Sequence, residues 1–323
     1  MSTRSLTPPT ARPATIAAAS LIAAATAGIA PSSGAADDQA QQRVAVLTPF
    51  LSSVATNEMV ETFQTRAEDR GWAVNVIDTR GSMADLANRL ADTAGTGVDA
   101  VVLVSIDPAE IGDQVQDVAD AGIPVVLIDG GSADGVMLNV TSDNFALGSA
   151  LSQYLIDEIG GSGNLVKFFH SAHPGVRQRE LALDDALAAN PDVQVIADHY
   201  VQVPGPIDDS RVAMENIIRA NRGEIDAVWA AWDEPAIGAW LAAESEGEAG
   251  SFIIAGIDGN PQAVEMIESC TAIVATVAQD FAAMADIASE ELASIFAGDG
   301  VSAAERYAPA NVITRESLGV SCD

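Results

Sequence analysis

From Arg43 onward the chain alternates short β-branched runs with Ala-rich segments, and this alternation constrains the fold more than any other feature. RVAVLT (43–48), AVNVID (73–78), DAVVLVS (99–105) and PVVLID (124–129) are apolar at consecutive positions. A strand that faces water on one side alternates polar and apolar residues, whereas a strand of a parallel sheet is covered on both faces and reads as a continuous apolar run. The intervening segments, Thr56 to Arg70, Ser82 to Ala94 and Pro108 to Ala121, carry apolar residues at helical spacing, and Gly71 and Gly122 stand just past two of their ends, where helices stop. The pattern predicts a βαβαβαβ array with right-handed crossovers and helices on both faces of the sheet.

The same grammar restarts after a short strand, VMLNV (136–140). A helix from Asn144 to Ile159 is followed by strand NLVKFF (164–169), helix Gly175 to Ala189, strand VQVIAD (193–198) and helix Asp208 to Ala220. Strand AVWAA (227–231), helix Pro235 to Glu244, strand SFIIAGI (251–257) and helix Pro261 to Ser269 complete a second unit. The strand Ile273 to Val277, a helix from Phe281 to Phe296 and an extended segment from Tyr307 to Ile313 are too few for a third domain, so they are expected to return and complete the first two. The expected fold class is therefore α/β, with two doubly wound parallel-sheet domains joined by a hinge of several crossings. The lobes are read as 43–142 plus 280–310 and 143–279 plus 311–323.

Residues 1–36 stand outside that scheme. Arg4 and Arg12 precede an apolar run from Ala14 to Ala30, and Gly34-Ala35-Ala36 offers small residues before Asp37-Asp38. This is the charge, core and cleavage order of a secretory signal, and the run is short of what a membrane span needs. No cysteine lies near the cleavage point, so no lipid anchor is expected, and the mature protein is expected in the periplasm or outside the cell. The net charge of −31, with Lys167 the only lysine, disfavours nucleic acid and anionic membranes as partners. Cys270 and Cys322 are the only cysteines; in an oxidising compartment they are expected to form one disulfide.

In two doubly wound units the carboxyl ends of the strands surround the ligand crevice. Those positions hold Thr48 to Ser53, Ser105 to Asp107, Asp129-Gly130-Gly131, His170 to Arg179, Trp232-Asp233-Glu234, Asp258-Gly259-Asn260 and Gln279. Carboxylates accept hydrogen bonds from hydroxyls, guanidinium and amide groups donate them, and an indole face covers C–H surface. A neutral polyhydroxylated molecule fits such a set, and an anion fits it poorly. Competing readings exist for each residue: Asp129 and Asp258, both followed by glycine, suit turns, Asp233 suits a helix N-cap before Glu234-Pro235, and one of Arg177 and Arg179 suits a solvated surface.

Signals for catalysis are scarce. There is no Gly-x-Ser-x-Gly elbow and no phosphate-cradling glycine loop with lysine, and TPFLSS after the first strand lacks dinucleotide-binding glycines. His170-x-x-His173 with His199 lacks a further ligand at a diagnostic spacing, and Pro174 interrupts it. No enzyme, cofactor or metal is expected.

The segments GIPVVLID (122–129), VTSDNFALG (140–148), VRQRELAL (176–183), WDEPAIGA (232–239), AGIDGNPQA (255–263) and ATVAQD (275–280) occur in the order found in a known family. The chain resembles the periplasmic ribose-binding-like, type I solute-binding proteins of sugar ABC transporters over essentially all of Arg43 to Arg315. The resemblance implies that Asp129, Arg177, Asp258 and Gln279 bind sugar hydroxyls and that Ser142-Asp143 lies at a hinge crossing. Ser53, Trp232 and Asp233 complete the expected ligand set. The departures are specific. Trp232 stands where ribose binders carry Asn, Gly130 replaces an arginine, and Ala55-Thr56 stand near the place of a stacking Phe pair. These imply a pentose, hexose or acyclic sugar alcohol other than ribose. The expected function is that of a monomeric extracytoplasmic receptor that closes on one sugar or polyol and delivers it to an ABC permease. The alternative is a receptor presenting a sugar or furanosyl signal to a chemoreceptor or sensor kinase, and an enzyme on the same fold ranks behind both.

Overall fold

The computed structural model describes residues 41–322; the expected secretory signal at 1–36 lies outside the described residues. Two six-stranded sheets carry the chain. In the first lobe β1 (Arg43–Thr48), β2 (Ala73–Asp78), β3 (Ala100–Val104), β4 (Val125–Ile128), β5 (Val136–Thr141) and β11 (Glu305–Tyr307) take the order β11-β5-β4-β3-β1-β2. In the second, β6 (Gly163–Phe169), β7 (Val193–Tyr200), β8 (Ala227–Ala230), β9 (Ile253–Asp258), β10 (Ile273–Gln279) and β12 (Ala310–Thr314) take the order β12-β10-β9-β8-β6-β7. Among the described residues all strand pairings are parallel except β10 with β12. Each sheet is thus doubly wound, with its order reversing between β1 and β3 and between β6 and β8.

The apolar runs of the central strands bury on both faces, whereas β2 and β7, expected to be covered alike, lie at sheet edges and stay half exposed. All residues of β3, β4 and β8 are buried. In the first lobe α1 (Val54–Asp69) and α9 (Phe281–Ala297) pack one face of the sheet, bringing Met59, Phe63, Met284 and Leu292 against Val46, Val102 and Ile128. The helices α2 (Met83–Thr93) and α3 (Gln114–Asp120) cover the other through Leu86, Leu90, Val115 and Val118. In the second lobe α4 (Asn144–Glu158) and α5 (Pro174–Ala189) cover one face. The other is covered by α6 (Pro206–Ala220), α7 (Asp233–Glu246) and α8 (Pro261–Glu268). Each Val, Leu or Phe so buried contributes about 1.5–3 kcal/mol of transfer free energy.

Two local expectations are corrected. The segment 108–121 is not one helix: a 3₁₀ turn at Pro108–Ile111 ends at Gly112, whose φ of 65° is left-handed, and α3 starts afresh at Gln114. The segment from Tyr307 to Ile313 is not one strand either. Glu305–Tyr307 pairs with β5 in the first sheet, and Ala310–Thr314 pairs with β10 in the second.

The chain passes between the sheets at three places. Thr141 ends β5 and Asn144 starts α4, so Ser142 and Asp143 span the first; the Asp143 carboxylate caps α4 by accepting from Ala146 N–H at 3.0 Å. Gln279 ends β10, and Asp280, capping Ala283 N–H at 2.8 Å, leads into α9 on the first lobe. Ala308 and Pro309 form the third, between β11 and β12. Cys270 and Cys322 are joined by a disulfide, Cα to Cα 5.7 Å.

Candidate ligand-binding site

The carboxyl ends of both sheets face one cavity of about 440 Å³. It is lined from the first lobe by Phe50, Ser52, Ser53, Ala55 and Thr56 after β1, Ser105 after β3 and Asp129 after β4. From the second lobe come His170, His173 and Arg179 after β6, Val203 to Asp208 after β7, Trp232 and Glu234 after β8, and Asp258 at the end of β9. Ser105 and Asp129, each just past a strand, and Asp258, the last residue of β9, have φ of 57°, 53° and 136°, a backbone region that costs a non-glycine residue energy and persists only where surrounding structure enforces it. Strained backbone at three strand ends marks this cleft as the place where position outranks local stability.

Arg179 is the buried cation of the site, 3% exposed. Its Nε donates to Asn144 Oδ1 at 2.8 Å and its Nη1 to the Ala231 carbonyl at 2.7 Å, while Nη1 stands 3.7 Å from Asp258 Oδ1. Burial raises the Asp258 carboxyl well above its ordinary range against the opposing pull of Arg179. Gln279 Nε2 donates to Asp258 Oδ1 at 2.8 Å, and Thr141 Oγ1 donates to Asp129 Oδ1 at 3.2 Å. Both carboxylates are therefore held before any ligand arrives.

His173 completes the polar group. Its Nε2 lies 3.0 Å from the Asp129 carbonyl, which only accepts, so Nε2 carries the hydrogen. Burial, and after it Arg179, oppose the raising effect of Asp129 and lower the histidine below its ordinary value. The ring is thus neutral at pH 7, and Nδ1 is buried with no partner in the protein among the described residues. On the far side of the cavity Glu234 accepts from Trp232 Nε1 at 3.1 Å, from Ser53 Oγ at 3.3 Å and from Val54 N–H. Since Ser53 and Val54 belong to the first lobe and Glu234 to the second, this carboxylate ties the lobes together, as the His173–Asp129 bond does.

Of the expected site residues, Ser53, Asp129, Trp232 and Asp258 line the cavity. Arg177 does not. It sits at the cleft rim, 42% exposed, with Nη2 2.5 Å from Asp107 Oδ2 of the first lobe and Nη1 on the carbonyls of Ser171 and Ala172. Residues two apart on a helix point about 200° away from each other, so α5 turns only one of the two arginines inward, and that one is Arg179. Gln279 stands behind Asp258 and is absent from the lining. Asp233 is absent too: fully buried at the start of α7, it accepts from Asn260 N–H at 2.7 Å and from Thr276 Oγ1 at 2.8 Å. It neither caps its own helix nor meets the cavity; it fixes the loop after β9 that presents Asp258. The arginine absent at Gly130 has no room to return, since a Cβ there falls 2.6 Å from Leu127 Cδ2 and 2.9 Å from the Ile106 carbonyl. His170 Nδ1 meets the Val201 carbonyl at 2.9 Å and His199 Nε2 meets Asp209 Oδ2 at 2.7 Å, so the three histidines serve three separate partners.

Two expected results follow from this geometry. The Arg177–Asp107 pair is half exposed at the rim, and such pairs contribute roughly 0.5–1 kcal/mol. Because it forms only where the lobes meet, Arg177→Gln or Asp107→Asn should raise Kd about two- to fivefold through the closed population, as calorimetry will read. Asp233 gives a pH signature. Burial lifts its pKa from 3.8 to about 6, so the folded state holds the proton more tightly than the unfolded chain. Its contribution is fully present below about pH 3.8 and is lost as pH rises through about 6, a change of up to about 3 kcal/mol. The fall in urea midpoint over that window should be shallower in Asp233→Asn, which keeps an acceptor for Thr276.

A family model described as "Periplasmic binding protein domain" matches residues 44–300. Among known proteins, the xylitol-binding protein of Mycolicibacterium smegmatis is 27% identical over 241 residues, 73% of this chain and 68% of that one. The ribose import binding protein RbsB of Bacillus subtilis is 28% identical over 239 residues, 73% of this chain and 75% of that one. The crystal structure of an ABC transporter solute binding protein from Agrobacterium vitis with bound allitol superposes with a TM-score of 0.81 at 25% identity, over 86% of this chain and 97% of that one. With a family model spanning both lobes and a cavity built from both sets of strand ends, the chain belongs to the periplasmic binding protein domain family.

Proposed function

We propose that this protein is the extracytoplasmic solute-binding component of an ABC importer, which closes on one small sugar or sugar alcohol and delivers it to a membrane permease. The observation that carries the reading is the preformed polar group of Asp129, His173, Arg179 and Asp258 at the junction of the lobes. Acceptors outnumber cations there, so a neutral molecule rich in hydroxyl donors satisfies the site and an anion does not. The relatives include a xylitol-binding and a ribose import binding protein, and an allitol complex shares the fold; polyols and pentoses are the first ligands to try.

Trp232 supplies the aromatic surface for the C–H face of the ligand, with its indole N–H engaged by Glu234. Ser142 and Asp143 act as one strand of the hinge, and lobe closure follows from contacts the ligand makes to both sides. Among the described residues no helix is long and apolar enough to cross a membrane. The receptor works outside the bilayer as a monomer. It binds its ligand stoichiometrically and releases it unchanged.

A thermal-shift screen over pentoses, hexoses and alditols tests this, because a ligand that binds only the native state stabilises by RT ln(1 + [L]/Kd). A stabilising sugar or alditol recovered intact is the expected result; stabilisation by none of them rejects the reading. For the ligand so found, Trp232→Ala should weaken binding by about 1–3 kcal/mol, the worth of one lost aromatic contact, measured by calorimetry.

A further inference from the structure

The cavity is polarised along the sheets. In each lobe the hinge-side strands, β4 and β9, end in Asp129 and Asp258, joined by Arg179 and His173. Strands β4 and β2 are three places apart in the first sheet, and β9 and β7 are three places apart in the second, which is about 14 Å at the usual interstrand spacing. At that distal end the lining changes character: Phe50 follows β1, and Val203, Pro204, Pro206 and Ile207 follow β7. The β7 loop reaches the first lobe there, because a Cβ on Gly81, just past β2, falls 2.8 Å from Pro204 Cδ.

Most hydrogen-bonding side chains at this end are already engaged or stand at the rim, with His170 Nε2 the acceptor that remains. Glu234 is taken by Trp232, Ser53 and Val54, and His170 Nδ1 by the Val201 carbonyl. Ser52 and Asp208 are exposed. The two prolines bring no N–H. A monosaccharide held by the hinge-side group spans about half of the roughly 14 Å between β4 and β2 or β9 and β7, leaving room for a second, different chemical group at the distal end. Hydroxyls there lose hydration with little replacement, whereas an apolar group is favoured.

Resting on the sugar-receptor reading above, we infer that the natural ligand is an amphiphilic sugar or polyol derivative. Its hydroxylated end is held by Asp129, Arg179 and Asp258, and an alkyl, alkylthio or similar apolar substituent lies against Phe50, Pro204 and Ile207. The distal loop after β7 is then the specificity element that separates this receptor from binders of unsubstituted monosaccharides.

The test is calorimetry with matched pairs: D-ribose against methyl and butyl ribofuranosides and 5-deoxy-5-(methylthio)ribose, and xylitol against a terminal O-butyl xylitol. At least one substituted member should bind about tenfold or more tightly than its parent, the scale on which an apolar pocket discriminates one or two carbons. Ile207→Asn and Phe50→Ser should pull that ratio toward one, whereas Asp258→Asn should weaken both members of a pair alike. Pro204→Ser, on an exposed position, provides the same readout if either core-facing variant fails to fold. Parents that bind as tightly as their derivatives, or more tightly, overturn the inference and leave the sugar-receptor reading intact. Binding of neither member of any pair overturns the inference, and the thermal-shift screen decides the sugar-receptor reading separately.

Discussion

Replacing Arg179 with methionine is expected to abolish ligand binding and to destabilise the fold by about 3–5 kcal/mol, the cost of leaving a buried charge without its partner. The guanidinium is 3% exposed and serves Asn144, the Ala231 carbonyl and Asp258 at once. Methionine fills much of the same volume, so the loss is of donors and charge more than of packing. Asp258, whose carboxyl burial already raises, loses the nearest compensating cation and is left as a buried, poorly compensated acceptor, weaker toward ligand hydroxyls. Urea unfolding and calorimetry separate the two effects. A second substitution, Asp258→Asn, should return part of the stability by removing the unpaired carboxylate and should return none of the binding. Retained affinity in Arg179→Met would dismiss the polar end of the site described here.

Loss of the Cys270–Cys322 bridge is expected to cost about 4 kcal/mol, as the chain-entropy model gives for a loop closed across 52 residues of sequence. In a chain of this size that is a fall of roughly 10 °C in Tm, to be read by comparing the Cys270→Ser/Cys322→Ser variant with the parent by calorimetry. The bridge ties the C-terminal segment beyond β12 to the turn between α8 and β10, where Arg315 also donates to the Thr271 carbonyl and Leu318 packs on the second-lobe core. That turn precedes β10, at the opposite end of the strand from Gln279 and the cleft. Affinity for the ligand should therefore change less than twofold, and a variant that loses binding along with stability would show that the two ends of the second lobe are coupled.

The fold was legible because burial on both faces leaves a mark on the sequence: β3 and β4 read as unbroken apolar runs, and a chain with such runs separated by amphipathic helices has few architectures open to it. The errors fell where a single residue overrides a pattern. Gly112 breaks the helix expected from Pro108, and Pro309 sits where one extended segment divides between two sheets. The site was legible at Asp129, Trp232 and Asp258, since each stands at a strand's carboxyl end. Arg177 and Arg179 were not separable in sequence, because the phase of α5 is set by which of its residues meets α4: a Cβ on Gly148 falls 2.6 Å from Arg179 Cα. Asp233 and Gln279 were placed one layer too far forward, as both serve the presentation of Asp258. His173 stands after β6 among the same crevice positions as the aspartates, and nothing in the sequence singles it out from His170 beside it. The stretch VPGPI after β7 stands at such a position as well, and its prolines and lack of polar groups are what distinguish the distal end.

The third crossing has a consequence for how the two lobes can exist at all. Two residues, Ala308 and Pro309, separate a strand in one sheet from a strand in the other, and α9, which covers Phe63 and Met59 of the first lobe, is reached only after every strand of the second sheet but β12 has been threaded. Neither lobe is a contiguous stretch of gene, so no single cut yields a piece with a finished core: a fragment ending at Thr141 bares the face that α9 covers and leaves β5 as an open edge. The pair is thus built to be synthesised and folded as one unit, and the three crossings are the record of that shared completion.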